Sequence, residues 1–527
     1  MATRRAKAST SKAAETDAAR AAAAVGVATT GAGGDSGKLR VAFVHPDLGI
    51  GGAERLVVDA AMGLQARGHT VTIFTSHHDR THCFEETRDG RLDVRVYGDW
   101  LPRSIAGKGH MVFAILRSLY LSAMMLLLWP KSYDVLFVDQ ISATIPVLRG
   151  LKAKASRCGV ADLVLHARAL GLTLQYAGYC GQVLFYCHFP DKLLTRRDSL
   201  AKSLYRMPID SLEELTTNMA DDIVVNSAFT ASVFADAFKS AKIRPEVLYP
   251  GIRLDSYPND IDRSDEGVKL IASNKTTIVS INRFERKKNI GLAIEAFVQL
   301  RTLAAKQFDG LRLVIAGGYD SRVAENVEHL GELVALAQRH GLSTHIAGAR
   351  SVAGSKHVEM SAAQVVFVPS FSEAQRTYLL RSSLCLVYTP SHEHFGIVPV
   401  EAMYAQLPVV AVSSGGPVES IVHGETGYLC EGNAGAFGRQ LAELVAAGGS
   451  DRRAKMGAKA RARVVERFSL DAFSERLEAL LQRVRDGGGR NGSHAEWLFW
   501  SFWIVTSSAL ALAVAGGVLA ADRLAGR

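Results

Sequence analysis

Ser391-His392-Glu393-His394-Phe395-Gly396-Ile397-Val398-Pro399-Val400-Glu401-Ala402-Met403 follows the apolar run Leu384-Cys385-Leu386-Val387-Tyr388-Thr389-Pro390. That run is short, β-rich and free of charge, as a strand covered on both faces of a parallel sheet must be. The stretch after it reads as a glycine-containing turn and a helix start. Past Pro399, Val400-Glu401-Ala402-Met403 begin the helix, with the proline in its first turn. Glu393 then falls in the loop at the strand's carboxyl end, and Glu401 about two helical turns further on. Backbone N–H groups of Gly396, Ile397 and Val398 would face the crevice as an anion site. One turn thus offers a carboxylate for sugar hydroxyls, amides for a phosphate and a second carboxylate for a ribose. Two glutamates with seven residues between them also occur on ordinary solvated helix starts, so the surroundings decide.

Outward from this stretch, strand-like and helix-like runs alternate. Strands are expected at residues 39–45, 70–75, 94–97, 135–138, 183–187, 223–225 and 247–249. A second series runs through 278–281, 311–316, 365–368, 384–388 and 409–412, with 427–430 as a short last strand. Such alternation implies doubly wound parallel sheets, hence an α/β chain of two Rossmann-like domains facing across a cleft, with ligands at the strands' carboxyl ends. The expected divisions are a basic, alanine-rich tail (1–37), a first domain (38–255), a linker (256–275) and a second domain (276–450). Helices at 451–486 return to the first domain, and a membrane anchor occupies 495–522.

The bulk numbers agree with a globular chain: 527 residues, 48 % hydrophobic and 21 % charged. The net charge of +9 is spread along the sequence. It suits acidic membrane surfaces or phosphorylated substrates, and no basic stripe is interleaved with aromatics for nucleic acid. Six cysteines are scattered without metal-ligand spacing, as free thiols in a reducing compartment would be. Residues 1–37 lack an apolar h-region and read as a disordered tail rather than a secretory signal. Residues 497–521 carry no charge, would extend roughly 37 Å as a helix, and begin with Trp497, Trp500 and Trp503. They read as a C-terminal transmembrane helix. Residues 111–129 are apolar but contain Arg117; an amphipathic or membrane-embedded helix and a buried core helix fit them equally.

Four further places could carry chemistry. Arg283 and Lys288, in Arg283-Phe284-Glu285-Arg286-Lys287-Lys288-Asn289, follow the first strand of the second series. A guanidinium fork and an ammonium there suit a diphosphate and would stabilise the charge of a leaving nucleoside diphosphate without a metal. Gly51 and Gly52, in Leu48-Gly49-Ile50-Gly51-Gly52, permit close backbone approach at a strand-to-helix turn. His188 ends another strand, directed at the crevice, where it could hydrogen-bond a transferred sugar. Ser413-Ser414-Gly415-Gly416-Pro417-Val418-Glu419 offers one more turn with exposed amides.

Taken together, Gly51-Gly52-Ala53-Glu54-Arg55, His188-Phe189-Pro190, the Arg283–Asn289 segment, Glu393 with Glu401, and Gly415-Gly416-Pro417 resemble glycosyltransferase family 4, with its GT-B fold. Within it, Asp139-Gln140-Ile141-Ser142-Ala143, Gly98-Asp99-Trp100-Leu101-Pro102-Arg103 and Val183 through Asp191 are similar to the dolichol-pathway mannosyltransferases of the endoplasmic reticulum. The resemblance implies a retaining enzyme that adds α-1,3 and α-1,6 mannose from GDP-mannose to a mannosylated dolichyl-diphosphate chitobiose on the cytosolic face. It implies an acceptor role for the first domain and a GDP-sugar role for the second. By the same likeness Arg283 and Lys288 bind the diphosphate and Glu401 the ribose. Glu393 and the amides after Gly396 hold mannose and phosphate, and His188 completes the sugar site. No metal or other cofactor is expected, and a complex with other dolichol-pathway glycosyltransferases is. The competing reading is a related membrane-associated family 4 enzyme with another donor or lipid acceptor. The sequons at Asn274 and Asn491 are expected to stay unmodified.

Overall fold

The computed structural model describes residues 37–105, 107–128, 133–149, 182–195, 197, 199–348, 359–499 and 501. Residues 1–36 of the leader, the segment 150–181 and nearly all of the 497–521 run therefore lie outside the described residues. Two seven-stranded sheets organise the rest. The first comprises β1 (Arg40–His45), β2 (Thr70–Thr75), β3 (Asp93–Val96), β4 (Val135–Asp139), β5 (Gln182–Cys187), β6 (Asp222–Val225) and β7 (Glu246–Val247). The second comprises β8 (Thr276–Ile281), β9 (Leu311–Gly317), β10 (Thr344–Ile346), β11 (Val365–Pro369), β12 (Cys385–Tyr388), β13 (Val409–Val412) and β14 (Tyr428–Cys430). Their orders are β3-β2-β1-β4-β5-β6-β7 and β10-β11-β9-β8-β12-β13-β14, parallel throughout. β7 is shorter than expected, and β10 was not anticipated.

Successive residues of a strand face opposite sides, and both sides here are core. Val41 and Phe43 of β1 pack with one cluster, Ala42 and Val44 with another. The helices that cover the sheets and matter below are α1 (Gly52–Ala66), α2 (His110–Leu128), α3 (Ala228–Ala237), α4 (Ile397–Tyr404), α5 (Gly449–Arg467) and α6 (Leu470–Arg485). α2 realises the core alternative on one face: Leu121 and Met125 are buried, and the buried Arg117 donates to the carbonyls of Ser76 and Gly98 at 2.9 and 3.3 Å. Its Leu116, Leu127 and Leu128 are exposed. Among the described residues no helix is long and apolar enough to cross a membrane.

The terminal helices divide differently from expectation. α5 stays on the second lobe, where Met456, Ala460 and Val464 enter its core and Arg463 donates to the carbonyls of Glu419 and Ser420. Only α6 returns to the first lobe, burying Phe473, Leu477 and Leu481 beside α1. The break between them is set by Ser469, whose hydroxyl caps α6 by accepting from Ala472 N. At this break the two interlobe connections run side by side: Ile252 N donates to Phe468 O at 2.8 Å, and Leu470 N to Ile252 O at 2.9 Å. Gly251 is required there, since a Cβ would lie 2.7 Å from Ser469 O.

Cys187, Cys385 and Cys430 are buried free thiols, and Cys83 is half-buried and free. Burial pushes Cys385 up to about 12 and Cys430 up to about 11. Asn491 is buried and donates to the carbonyls of Asn218 and Ala220, so its amide nitrogen has a structural task.

Candidate active site

The Glu393–Glu401 turn lies at the carboxyl end of β12. α4 starts at Ile397, earlier than the proline suggested. Gly396 sets that start, with φ 82° and ψ 82°, a left-handed conformation that favours glycine. Pro399 instead takes the third position, where its missing N–H is one that a helix start leaves unpaired anyway. The amides of Gly396, Ile397 and Val398 meet no acceptor among the described residues, the condition for an anion site.

Glu401 is largely buried. Tyr257 OH donates to its Oε1 at 2.6 Å, and Arg376 Nη1 lies 3.5 Å from the same oxygen. Burial raises the Glu401 pKa, and Arg376 and Tyr257 only partly offset it. The Arg376 guanidinium also sits 4.7 Å from the centroid of the Tyr257 ring. Neither Tyr257 nor Arg376 was singled out from sequence; both lie in polar segments without a motif.

Glu393 pairs with Lys288, Oε2 to Nζ at 2.6 Å, with the two side chains 20 % and 18 % exposed. Arg283 does not join them: its side chain is 64 % exposed, with Glu285 at 4.0 Å. The glycine-rich turn after β13 supports Glu393, and its Gly416 amide is taken up there. Gly416 N donates to Glu393 O at 2.8 Å, and Ser414 Oγ accepts from His392 N at 3.1 Å. A Cβ on Gly416 would overlap the backbone of Phe395, and one on Gly415, at φ 68°, the backbone of Glu393. Gly416→Ala should therefore displace the Glu393 loop and cut transfer by at least about 10-fold, measured as initial rate at matched folded protein; an unchanged rate would remove the turn from the site.

In the first lobe, His188 follows β5, and its Nε2 lies 3.0 Å from Asp139 Oδ2. Asp139 Oδ1 meets His45 Nδ1 at 2.7 Å. Burial acts to raise the Asp139 pKa, but His45 and His188 outweigh it and the net shift is down. Burial likewise acts against a charged His45, while Asp139 and Glu54 carry its pKa upward. Gly51 caps α1 in an extended conformation, φ −164°, that any residue adopts, and a Cβ there would meet only the movable Glu54 carboxylate.

A cavity of about 570 Å³ opens between the lobes, lined among others by Gly52, His188, Arg253, Arg376, Ile397 and Glu401. Gly51, Arg283, Lys288, Glu393, Gly396 and Val398 are not among its lining residues. The lobes touch beside it. The rings of Phe189 and His394 stack at 3.8 Å, and Ser227 Oγ donates to His394 O. Glu419 caps α3 from the opposite lobe, accepting from Ala228 N and Phe229 N at 2.7 and 2.8 Å. Burial lowers the His394 pKa, with Lys288, Lys287 and His188 adding to it against Glu393. Among the described residues no group of three His, Cys, Asp or Glu side chains gathers for a metal ion. Chemically, the unpaired α4 amides suit an anion, the Glu401 carboxylate can accept from hydroxyls, and His188 offers a ring nitrogen beside the cavity.

Residues 50–256 match the family described as Glycosyltransferase Family 4, and residues 262–463 that described as Glycosyl transferases group 1. The chain is 48 % identical over 450 residues to the α-1,3/1,6-mannosyltransferase ALG2 of Rhizomucor pusillus, covering 85 % of this chain and 92 % of that protein. It is 46 % identical over 445 residues to the protein of that name from Homo sapiens, covering 84 % and 95 %. Among solved structures, sucrose-phosphate synthase of Thermosynechococcus elongatus superposes with a TM-score of 0.60 at 16 % identity, covering 85 % of this chain and 99 % of its own. Anabaena HepE in complex with UDP and glucose gives 0.55 at 18 %, covering 84 % and 99 %. These likenesses show the GT-B fold.

Proposed function

The chain belongs to the α-1,3/1,6-mannosyltransferase family of glycosyltransferases, and from that premise we propose that it adds two mannoses in succession, α-1,3- and α-1,6-linked, to a mannosylated dolichyl-diphosphate chitobiose. GDP-mannose is the donor, and the anomeric configuration is retained. The observation that carries this reading is the identity sustained through both lobes, at 46–48 % over more than four-fifths of the chain.

In this reading the nucleoside ribose binds Glu401, displacing or joining the Tyr257 hydroxyl, and the diphosphate lies on the Gly396–Val398 amides with Lys288 and Arg283 as counter-charges. Gly51 and Gly52 let the first lobe approach the same phosphates. Glu393 and His188 flank the mannose. The bond from C1 to the β-phosphate oxygen breaks, the acceptor oxygen bonds C1 on the same face, and the acceptor proton passes to the leaving phosphate. The charge released there falls on cations already in place, so the scheme invokes no metal. The 497–521 run is the membrane anchor in this reading, the two lobes lie on the cytosolic face of the endoplasmic reticulum, and other enzymes of the dolichol pathway are the expected neighbours.

The test incubates membranes bearing the full chain with labelled GDP-mannose or UDP-N-acetylglucosamine and the mannosylated dolichyl chitobiose, with and without a chelator. Growth of the lipid-linked sugar by two mannoses, undiminished by chelation, is expected. Transfer from the UDP sugar alone would reject the donor, and loss of activity on chelation would reject the metal-free scheme.

A further inference from the structure

The reading above places His188 against the transferred sugar, and the present inference rests on it: what holds the ring of His188 can be traced one residue deeper. β1, β4 and β5 are neighbours in the first sheet, and their carboxyl ends bring His45, Asp139 and His188 together. Asp139 is 1 % exposed, and each carboxylate oxygen takes one imidazole, Oδ1 that of His45 at 2.7 Å and Oδ2 that of His188 at 3.0 Å. An ionised carboxylate only accepts, so both facing nitrogens are donors. For His188 this places a proton on Nε2 and leaves Nδ1 for a ligand, because the bond made by one ring nitrogen sets the state of the other. The Tyr186 ring, 4.8 Å away, limits tilting of the imidazole.

His45 is itself buried and cannot reach a substrate. Without its Nδ1–H, one oxygen of a buried carboxylate would lose its donor, a costly state that rotation of Asp139 toward His188 would relieve. Its other ring nitrogen, Nε2, is buried and closes no full hydrogen bond among the described residues, where the Asp47 backbone and Glu54 act on the ring more weakly, so its close hydrogen bond is the one to Asp139.

We propose that His45 is a positioning residue: its hydrogen bond fixes the Asp139 carboxylate, which in turn sets the rotation and tautomer of His188 and presents Nδ1 as an acceptor to a hydroxyl of the bound mannose. His45 thus governs turnover while touching no ligand.

The experiment is a double-mutant cycle on the full chain in membranes, comparing His45→Phe, His188→Ala and the double variant, with GDP binding recorded for each. His45→Phe keeps a ring of similar bulk and removes the donor. It should lower kcat by about 10–100-fold, the range lost when a partner that orients an imidazole is removed, with KM for GDP-mannose little changed. The double variant should be no slower than His188→Ala alone. His45→Asn, whose amide can still donate to Asp139, should recover most of the rate. If His45→Phe does not accumulate folded, His45→Leu, which likewise lacks a donor, carries the same cycle. Losses that multiply in the double variant, or a rise in KM with kcat preserved, overturn the positioning role. A wild-type rate in His188→Ala would instead overturn the reading of the sugar site, so the two failures are distinguishable.

Discussion

Replacing Lys288 with alanine is expected to lower kcat/KM for mannosyl transfer by about 10²–10³-fold, the usual cost of deleting one preorganised group that faces developing negative charge. The lysine emerges between β8 and the following helix, and its ammonium meets Glu393 Oε2 at 2.6 Å with less than a fifth of the side chain exposed. Its backbone carbonyl accepts from Thr389 Oγ1 at 2.8 Å, which ties the segment to the end of β12. The charge is thus held on the Glu393 loop by both its side chain and its backbone. Lys288→Arg should restore only part of the rate, because a planar fork cannot reproduce a compact ammonium. Glu393→Ala is expected to lose most activity as well, since it frees the lysine and, on the proposed reading, removes a sugar contact together. Steady-state kinetics with a thermal-unfolding control decides the matter: both variants should stay folded, and wild-type turnover in either would remove that residue from the site.

Gly317→Ala should give the largest loss of stability. Gly317 closes β9, and a Cβ there would overlap the carbonyl of Asn282, which is backbone and cannot rotate away. The same strand ends are fastened by Asn282 N to Ala316 O at 2.9 Å and Phe284 N to Gly318 O at 3.1 Å. Relief therefore requires parting β8 from β9 where the Arg283 segment leaves the sheet. A cost of roughly 3 kcal/mol, at the upper end for overpacking, is expected. That corresponds to a fall of about 6–12 °C in the midpoint for a lobe of this size. Because Arg283 moves with Asn282, transfer should fall even below the transition. A midpoint within a degree of wild type would mean that the contact is readily relieved.

The strands were legible because a sheet buried on both faces demands uninterrupted apolar, β-branched runs, and Val135-Leu136-Phe137-Val138 or Val409-Val410-Ala411-Val412 can be little else. Thr344-His345-Ile346 is too short and too polar to announce itself, and β10 exists because Val365–Phe367 offers it a partner. Proline's preference for a first turn points to a later start of α4 than Gly396 in fact sets. The charged pattern of 451–486 runs unbroken across Phe468 and Ser469, so it hid the point where the chain changes lobes. In the site, His188 and Glu393 follow strand ends, Lys288 lies in the segment after β8 and Glu401 in the helix after β12, and these positions could be read from the sequence. His45 and Asp139 also end strands, but their meaning comes from the adjacency of β1, β4 and β5, which only the sheet order reveals. Glu419 was read with its own turn, yet its carboxylate serves a helix of the other lobe.

The paired crossovers at Ile252 and Ser469 restrict how the molecule can open. Sliding one half past the other would break both backbone contacts of Ile252 at once, whereas a rotation about the line through the two connections leaves them intact. Any opening by that rotation would part Glu419 from the amides of Ala228 and Phe229.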